Sequence, residues 1–128
     1  MDATILLIED NEHNRYLTTF LLEAHGFKVV SAHDGRIGVD LARSLKPVLI
    51  LLDIQLPTMD GYSVARALRS FDELKQTPIV AVTSYAMAGD REKALQAGCN
   101  GYIEKPINPE SFATEVASFI AAQARTPQ

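Results

Sequence analysis

The chain has 128 residues, 47% hydrophobic and 22% charged, which fits one domain whose core needs neither disulfide nor structural metal. Its 16 acidic residues outnumber 12 basic ones, for a net charge of −4, and the thinly spread Lys and Arg exclude the clustered cations of a nucleic-acid surface. One cysteine, Cys99, rules out an intrachain disulfide and a cysteine-based zinc site, and the longest strongly apolar run, Val48 to Leu52, is too short to span a bilayer.

Apolar runs rich in β-formers alternate with stretches of helical periodicity. Ile5 to Ile8 reads as a first strand, followed by a helix with an apolar stripe of Leu17, Phe20, Leu21 and Ala24 and with Gly26 as its closing residue. Phe27 to Ser31 is a second, weaker strand. A helix after Asp34-Gly35 carries Gly38, Leu41, Ala42 and Leu45 at the same spacing and stops at Pro47. Val48 to Leu52 is the third strand, and its unbroken hydrophobicity implies burial on both faces at the centre of a parallel sheet. Asp60-Gly61 opens a third helix with Gly61, Val64, Ala65 and Leu68 inward, and Pro78 introduces a fourth strand, Ile79 to Val82. The helix near Gly89 to Ala97 has the weakest apolar stripe of the five. Gly101 to Ile103 is a short fifth strand. Asn108-Pro109-Glu110 reads as a helix start, with Phe112, Val116, Phe119 and Ile120 facing inward. Five β–α units predict an α/β fold, a doubly wound five-stranded parallel sheet with helices on both faces. The domain is read as residues 1–124, with 125–128 as a short tail.

In open α/β sheets, sites lie at the carboxyl ends of the strands. Here those ends carry Glu9-Asp10, Asp53, Thr83-Ser84 and Lys105-Pro106. Gathering three carboxylates is costly, since two like charges about 4 Å apart repel by on the order of 4 kcal/mol at an effective dielectric near 20. A hard cation such as Mg²⁺ offsets that cost with all-oxygen ligands. An aspartate beside such an ion can attack a phosphoryl group and form an acyl phosphate. An acid after a strand is by itself most often a helix cap or a solvated loop residue. Asp53, after five apolar residues on the central strand, resists that plain reading.

Ile8-Glu9-Asp10-Asn11, Leu52-Asp53-Ile54-Gln55-Leu56-Pro57-x-Met59-Asp60-Gly61, Val82-Thr83-Ser84 and Tyr102-Ile103-Glu104-Lys105-Pro106, in this order and spanning essentially the whole chain, resemble the receiver domain of two-component response regulators. The resemblance implies a flavodoxin-like (βα)5 fold with strand order 2-1-3-4-5 and a phosphorylation-activated signalling switch. It implies Asp53 as phosphoacceptor, served by Lys105 and Thr83. Mg²⁺ is expected on Asp10, Asp53 and the Gln55 backbone carbonyl, with Glu9 acting through water. It also implies a cis Lys105-Pro106 peptide, and Thr83 and Tyr102 as the moving parts of the switch. The implied partners are a histidine kinase or histidine phosphotransfer protein upstream, and a protein target on the face of helix four, strand five and helix five. No nucleic acid and no membrane insertion are expected. Catalysis is confined to the domain's own phosphorylation and slow dephosphorylation.

Several residues carry narrower expectations. Tyr85, two residues beyond Thr83, is a candidate shield of the phosphoryl group against water. Leu22, Arg15, Thr18 and Thr19 are read as an outer face of the first helix, with Leu22 as a candidate docking residue for the phosphodonor. His13, His25 and His33 lack metal-ligand spacing, and Cys99 is read as a buried filler. Two other readings stand beside the stand-alone switch. One is a receiver module of a hybrid kinase or phosphorelay. The other is a Mg²⁺-dependent phosphohydrolase, disfavoured because Gln55 occupies the place of a second acid. The Met-Asp-Ala-Thr start lacks the basic residues of a signal peptide, so a cytoplasmic location is expected.

Overall fold

A computed structural model of the chain describes residues 3–56, 59–84 and 89–125. Five strands, β1 (Thr4–Ile8), β2 (Lys28–Ala32), β3 (Leu49–Asp53), β4 (Ile79–Thr83) and β5 (Gly101–Glu104), pair in parallel in the order β2-β1-β3-β4-β5. Between and after them run α1 (Glu12–Ala24), α2 (Gly35–Leu45), α3 (Gly61–Arg69), α4 (Asp90–Gln96) and α5 (Phe112–Arg125), with a short 3₁₀ turn at Asp72–Leu74. This is the expected doubly wound flavodoxin-like fold. The burial of each strand follows its place in the sheet. β3 and β4, inside and covered on both faces, are buried at all five positions, whereas the edge strand β2 is buried only at Ala32.

Alternate side chains along β1 and β3 feed two cores. Leu6, Ile8, Ile50 and Leu52 meet Ala42 of α2, Val64 and Leu68 of α3 and Ala94 of α4 on one face. Ile5, Leu7, Leu49 and Leu51 meet Leu22 of α1 and Phe112 and Val116 of α5 on the other. Local signals define the helix ends. Asn11, Asp34 and Asp60 cap α1, α2 and α3 by accepting from Asn14, Ile37 and Ser63 N–H groups. Gly26, at φ 102°, follows α1 in the left-handed region that favours glycine. Asn108 accepts from Glu110 N–H and, through its carbonyl, from Phe112 N–H, but it opens a turn, and regular helix begins only at Phe112.

The first helix departs from its expected register. Phe20 is 60% exposed and Tyr16 74%, whereas Thr18 and Leu22 are buried; Leu21 still packs half-buried against the core, so the helix is turned and only part of the expected stripe faces inward. The cause lies at the helix start. The Asn11 cap and the Arg15 guanidinium, which donates to the Glu9 and Asp10 carbonyls, set the rotation of α1. At about 100° per residue that rotation turns positions 15, 18 and 22 to the sheet and 16 and 20 away from it. Leu22 is therefore a core residue and not a docking surface.

Candidate functional site

Strand register assembles the site. Ile8 pairs with Leu52, so Glu9 and Asp53 leave neighbouring strands side by side. Asp53 pairs with Val82, and Thr83 with Glu104, which brings Thr83 and Lys105 to the same rim. The chain past β3 folds back tightly, with Gly61 N–H donating to Ile54 O. A Cβ at Gly61 would lie 2.5 Å from Ile54 Cα and 2.9 Å from Asp53 O, so only glycine permits this return.

Glu9, Asp10 and Asp53 present carboxylate oxygens within 4.8 Å of one another, with Glu9 and Asp53 buried and Asp10 exposed. Lys105 Nζ lies 3.0 Å from Glu9 Oε1 and 3.7 Å from Asp53 Oδ1. Backbone N–H groups add to this: Asn11 N donates to Glu9 Oε2 and Gln55 N to Asp53 Oδ1. Burial, then a hydrogen bond and charge repulsion from Glu9, push the Asp53 carboxyl from 3.8 up to about 7, against the opposing pull of Lys105 and the Gln55 N–H. One ammonium thus pairs with two of the three carboxylates, Glu9 and Asp53. The remaining negative charge and the all-oxygen donor set fit a hard divalent cation such as Mg²⁺.

The other expected residues lie at the end of β4, after β5 and in the core of the α2, α3 and α4 face. Thr83 is buried, and its Oγ1 accepts from the Gln55 side chain. Lys105-Pro106 is cis, as expected. Tyr102 packs against the core of the α2, α3 and α4 face, and its hydroxyl is a buried polar atom without a partner among the described residues. Cys99 is buried, and its thiol is pushed up to about 11 by that burial, which suits a filler. Tyr85 lies outside the described residues. Two contributions were not legible beforehand. Arg15, expected on the outer face of the first helix, holds the Glu9-Asp10 turn by its carbonyls. Gln55, expected to matter through its backbone, also uses its side chain, donating to Thr83 and accepting from Ser84 N–H.

The family model of the response regulator receiver domain matches residues 5–117. The chain belongs to the response regulator receiver family. This receiver is 42% identical over 120 residues to the polar-differentiation response regulator DivK of Brucella anthropi, covering 94% of this chain and 98% of that one. The receiver domain of a sensor histidine kinase from Pseudomonas aeruginosa, solved with magnesium in its active-site cleft, superposes with a TM-score of 0.87 at 36% identity, covering 94% and 99%. Vibrio cholerae chemotaxis protein CheY4 superposes with a TM-score of 0.88 at 26% identity, covering 93% and 99%. Two-component signalling is therefore the class of process this receiver serves. Among the described residues no helix is long and apolar enough to cross a membrane.

Proposed function

We propose that the protein is a stand-alone, cytoplasmic receiver switch that takes a phosphoryl group from a phosphohistidine onto Asp53 and passes the signal through protein contacts. The observation that carries this reading is the buried Asp53 carboxylate at the end of the central strand, 3.7 Å from Lys105 Nζ and inside the acid cluster.

An Asp53 Oδ attacks phosphorus, the P–N bond breaks as the P–O bond forms, and the leaving imidazole nitrogen keeps the bonding pair. The product is an acyl phosphate. Mg²⁺, when bound, neutralises charge on the transferred group, and it would be held by the Asp10 and Asp53 carboxylates, the Gln55 carbonyl and, through water, Glu9. Lys105 needs only a small shift from Glu9 to reach a phosphoryl oxygen. Thr83, at the end of the adjoining strand, supplies a hydroxyl on the other side. In the separate dephosphorylation step water attacks phosphorus and gives up a proton, the P–O bond to Asp53 breaks, and the carboxylate and inorganic phosphate are released.

Displacement of Thr83 is the proposed trigger for Tyr102, whose hydroxyl has no partner among the described residues, costs about 1–3 kcal/mol where it stands and gains if it finds one. α4 suits the responding role. It starts at Gly89 without a side-chain cap, and Ala94 is its buried residue. The face of α4, β5 and α5 is therefore the proposed surface for the downstream protein, with a histidine kinase or histidine phosphotransfer protein as donor.

Incubation with acetyl phosphate and Mg²⁺ tests the reading. A receiver accumulates one labile phosphoryl group per chain. Rapid release of many equivalents of phosphate without accumulation would instead mark a phosphohydrolase.

A further inference from the structure

Gln55 is bonded to both halves of the site at once. Its backbone N–H donates to Asp53 Oδ1 at 3.0 Å. Its side-chain amide donates to Thr83 Oγ1 and accepts from Ser84 N–H at 3.2 Å. The segment after Asp53 is thus tied to two groups at the end of β4, the strand beside β3. Lys105 covers the opposite side, toward Glu9.

A phosphoryl group on Asp53 brings three strongly accepting oxygens to this rim. Lys105 can serve one of them. The Gln55 N–H already donates to Asp53, and two donors at the end of the adjoining strand, the Thr83 hydroxyl and the Ser84 N–H, are both bonded to the Gln55 side-chain amide; the Ser84 N–H has a single hydrogen to give. Donation from Ser84 to the phosphoryl group therefore requires the Gln55 carbonyl oxygen to let go. Thr83 accepts from Gln55 Nε2 through Oγ1 and keeps its own hydrogen to give, so there the bond resists displacement of the side chain and not its donation. One side chain makes both bonds, so swinging the amide away from Ser84 releases Thr83 as well.

We propose that the Gln55 side chain is a positioning residue, a latch that holds Thr83 and Ser84 in the unphosphorylated arrangement and is displaced when Asp53 is phosphorylated. The proposal rests on the receiver reading above and deepens it. The Gln55 side chain touches Thr83 and Ser84, and only the backbone N–H meets the Asp53 carboxylate, so the side chain's part is to set how readily the switch responds. A longer-lived resting arrangement follows from the latch, at the expense of affinity for the phosphoryl group. That trade reverses when the amide is removed.

The test uses the full chain, saturating Mg²⁺ and beryllium fluoride, a non-covalent phosphoryl mimic that binds an aspartate carboxylate. Gln55→Met preserves volume without either hydrogen bond, and Gln55→Ala removes the side chain altogether. Two neutral hydrogen bonds that must break on binding correspond to about tenfold tighter beryllium fluoride binding in Gln55→Met. The mimic-free variant should also show faster hydrogen exchange at the Ser84 amide, and its resonance should move toward the position seen in the wild-type complex. Unchanged or weaker binding with an unmoved Ser84 amide, in either folded variant, overturns the latch. A wild type that binds the mimic no better than Asp53→Asn overturns the receiver reading and the latch with it, so the two failures are told apart.

Discussion

Lys105 Nζ lies 3.0 Å from Glu9 Oε1, a contact across 96 residues of chain that joins the ends of β1 and β5 over the Asp53 carboxylate. The pair is largely buried, with side chains 14% and 5% exposed, so its parts depend on each other. Removing the ammonium leaves two buried carboxylates to repel one another. Lys105→Met is expected to destabilise the metal-free fold by about 3 kcal/mol at pH 8. The loss shrinks at pH 5, where Asp53 holds a proton. Urea denaturation at the two pH values checks this, and an equal loss at both would contradict it.

Asp53 predicts a distinct pH dependence. Its carboxyl titrates near 7 in the folded chain and at 3.8 when unperturbed. Between those values the folded state binds the extra proton, so this group's contribution to stability is full below about 4, declines as pH rises through about 7 and then levels off. Asp53→Asn removes that slope from the metal-free protein. The same proton competes with a cation, so Mg²⁺ affinity should fall as pH drops below about 7. Calorimetric Mg²⁺ titrations at pH 6 and 8 that gave one affinity would contradict the account.

Rotation of α1 separates two neighbouring apolar residues. Leu22 is fully buried against the sheet, and Leu22→Ala should cost about 2–5 kcal/mol. Phe20 is 60% exposed, and Phe20→Ala should stay within about 0.5 kcal/mol. Chemical denaturation of the two variants decides between this register and the apolar stripe of Leu17, Phe20, Leu21 and Ala24.

Gly61 gives a prediction that joins fold to site. Its added Cβ meets backbone, which cannot swing aside as a side chain can. Gly61→Ala should destabilise by about 1–3 kcal/mol and shift the amide resonances of Asp53, Ile54 and Gln55. A variant of wild-type stability with unmoved resonances would show that the loop has room to spare.

The sheet was legible because its signals are local and redundant. Unbroken apolar runs marked β3 and β4, and the stripe of Gly61, Val64, Ala65 and Leu68 matched the buried face of α3. The acid cluster was legible because strand ends in such a sheet share one rim. In α1 periodicity misled, since a polar cap and the Arg15 contacts govern its rotation and a buried threonine stands where an apolar residue was expected. The part played by the Gln55 side chain was hidden for another reason. Its partners, Thr83 and Ser84, lie about thirty positions away, and only the register of β3 against β4 brings them near.

The central claim is that Asp53 accepts the phosphoryl group, and site mapping tests it most directly. Wild type and Asp53→Asn are each incubated with acetyl phosphate and Mg²⁺, and the incorporated group is located by mass spectrometry of peptides. The account predicts one phosphoryl group on the peptide containing Asp53 in wild type, and none in Asp53→Asn. Labelling of Asp53→Asn to the wild-type extent, or a group mapped to another residue in wild type, would contradict it.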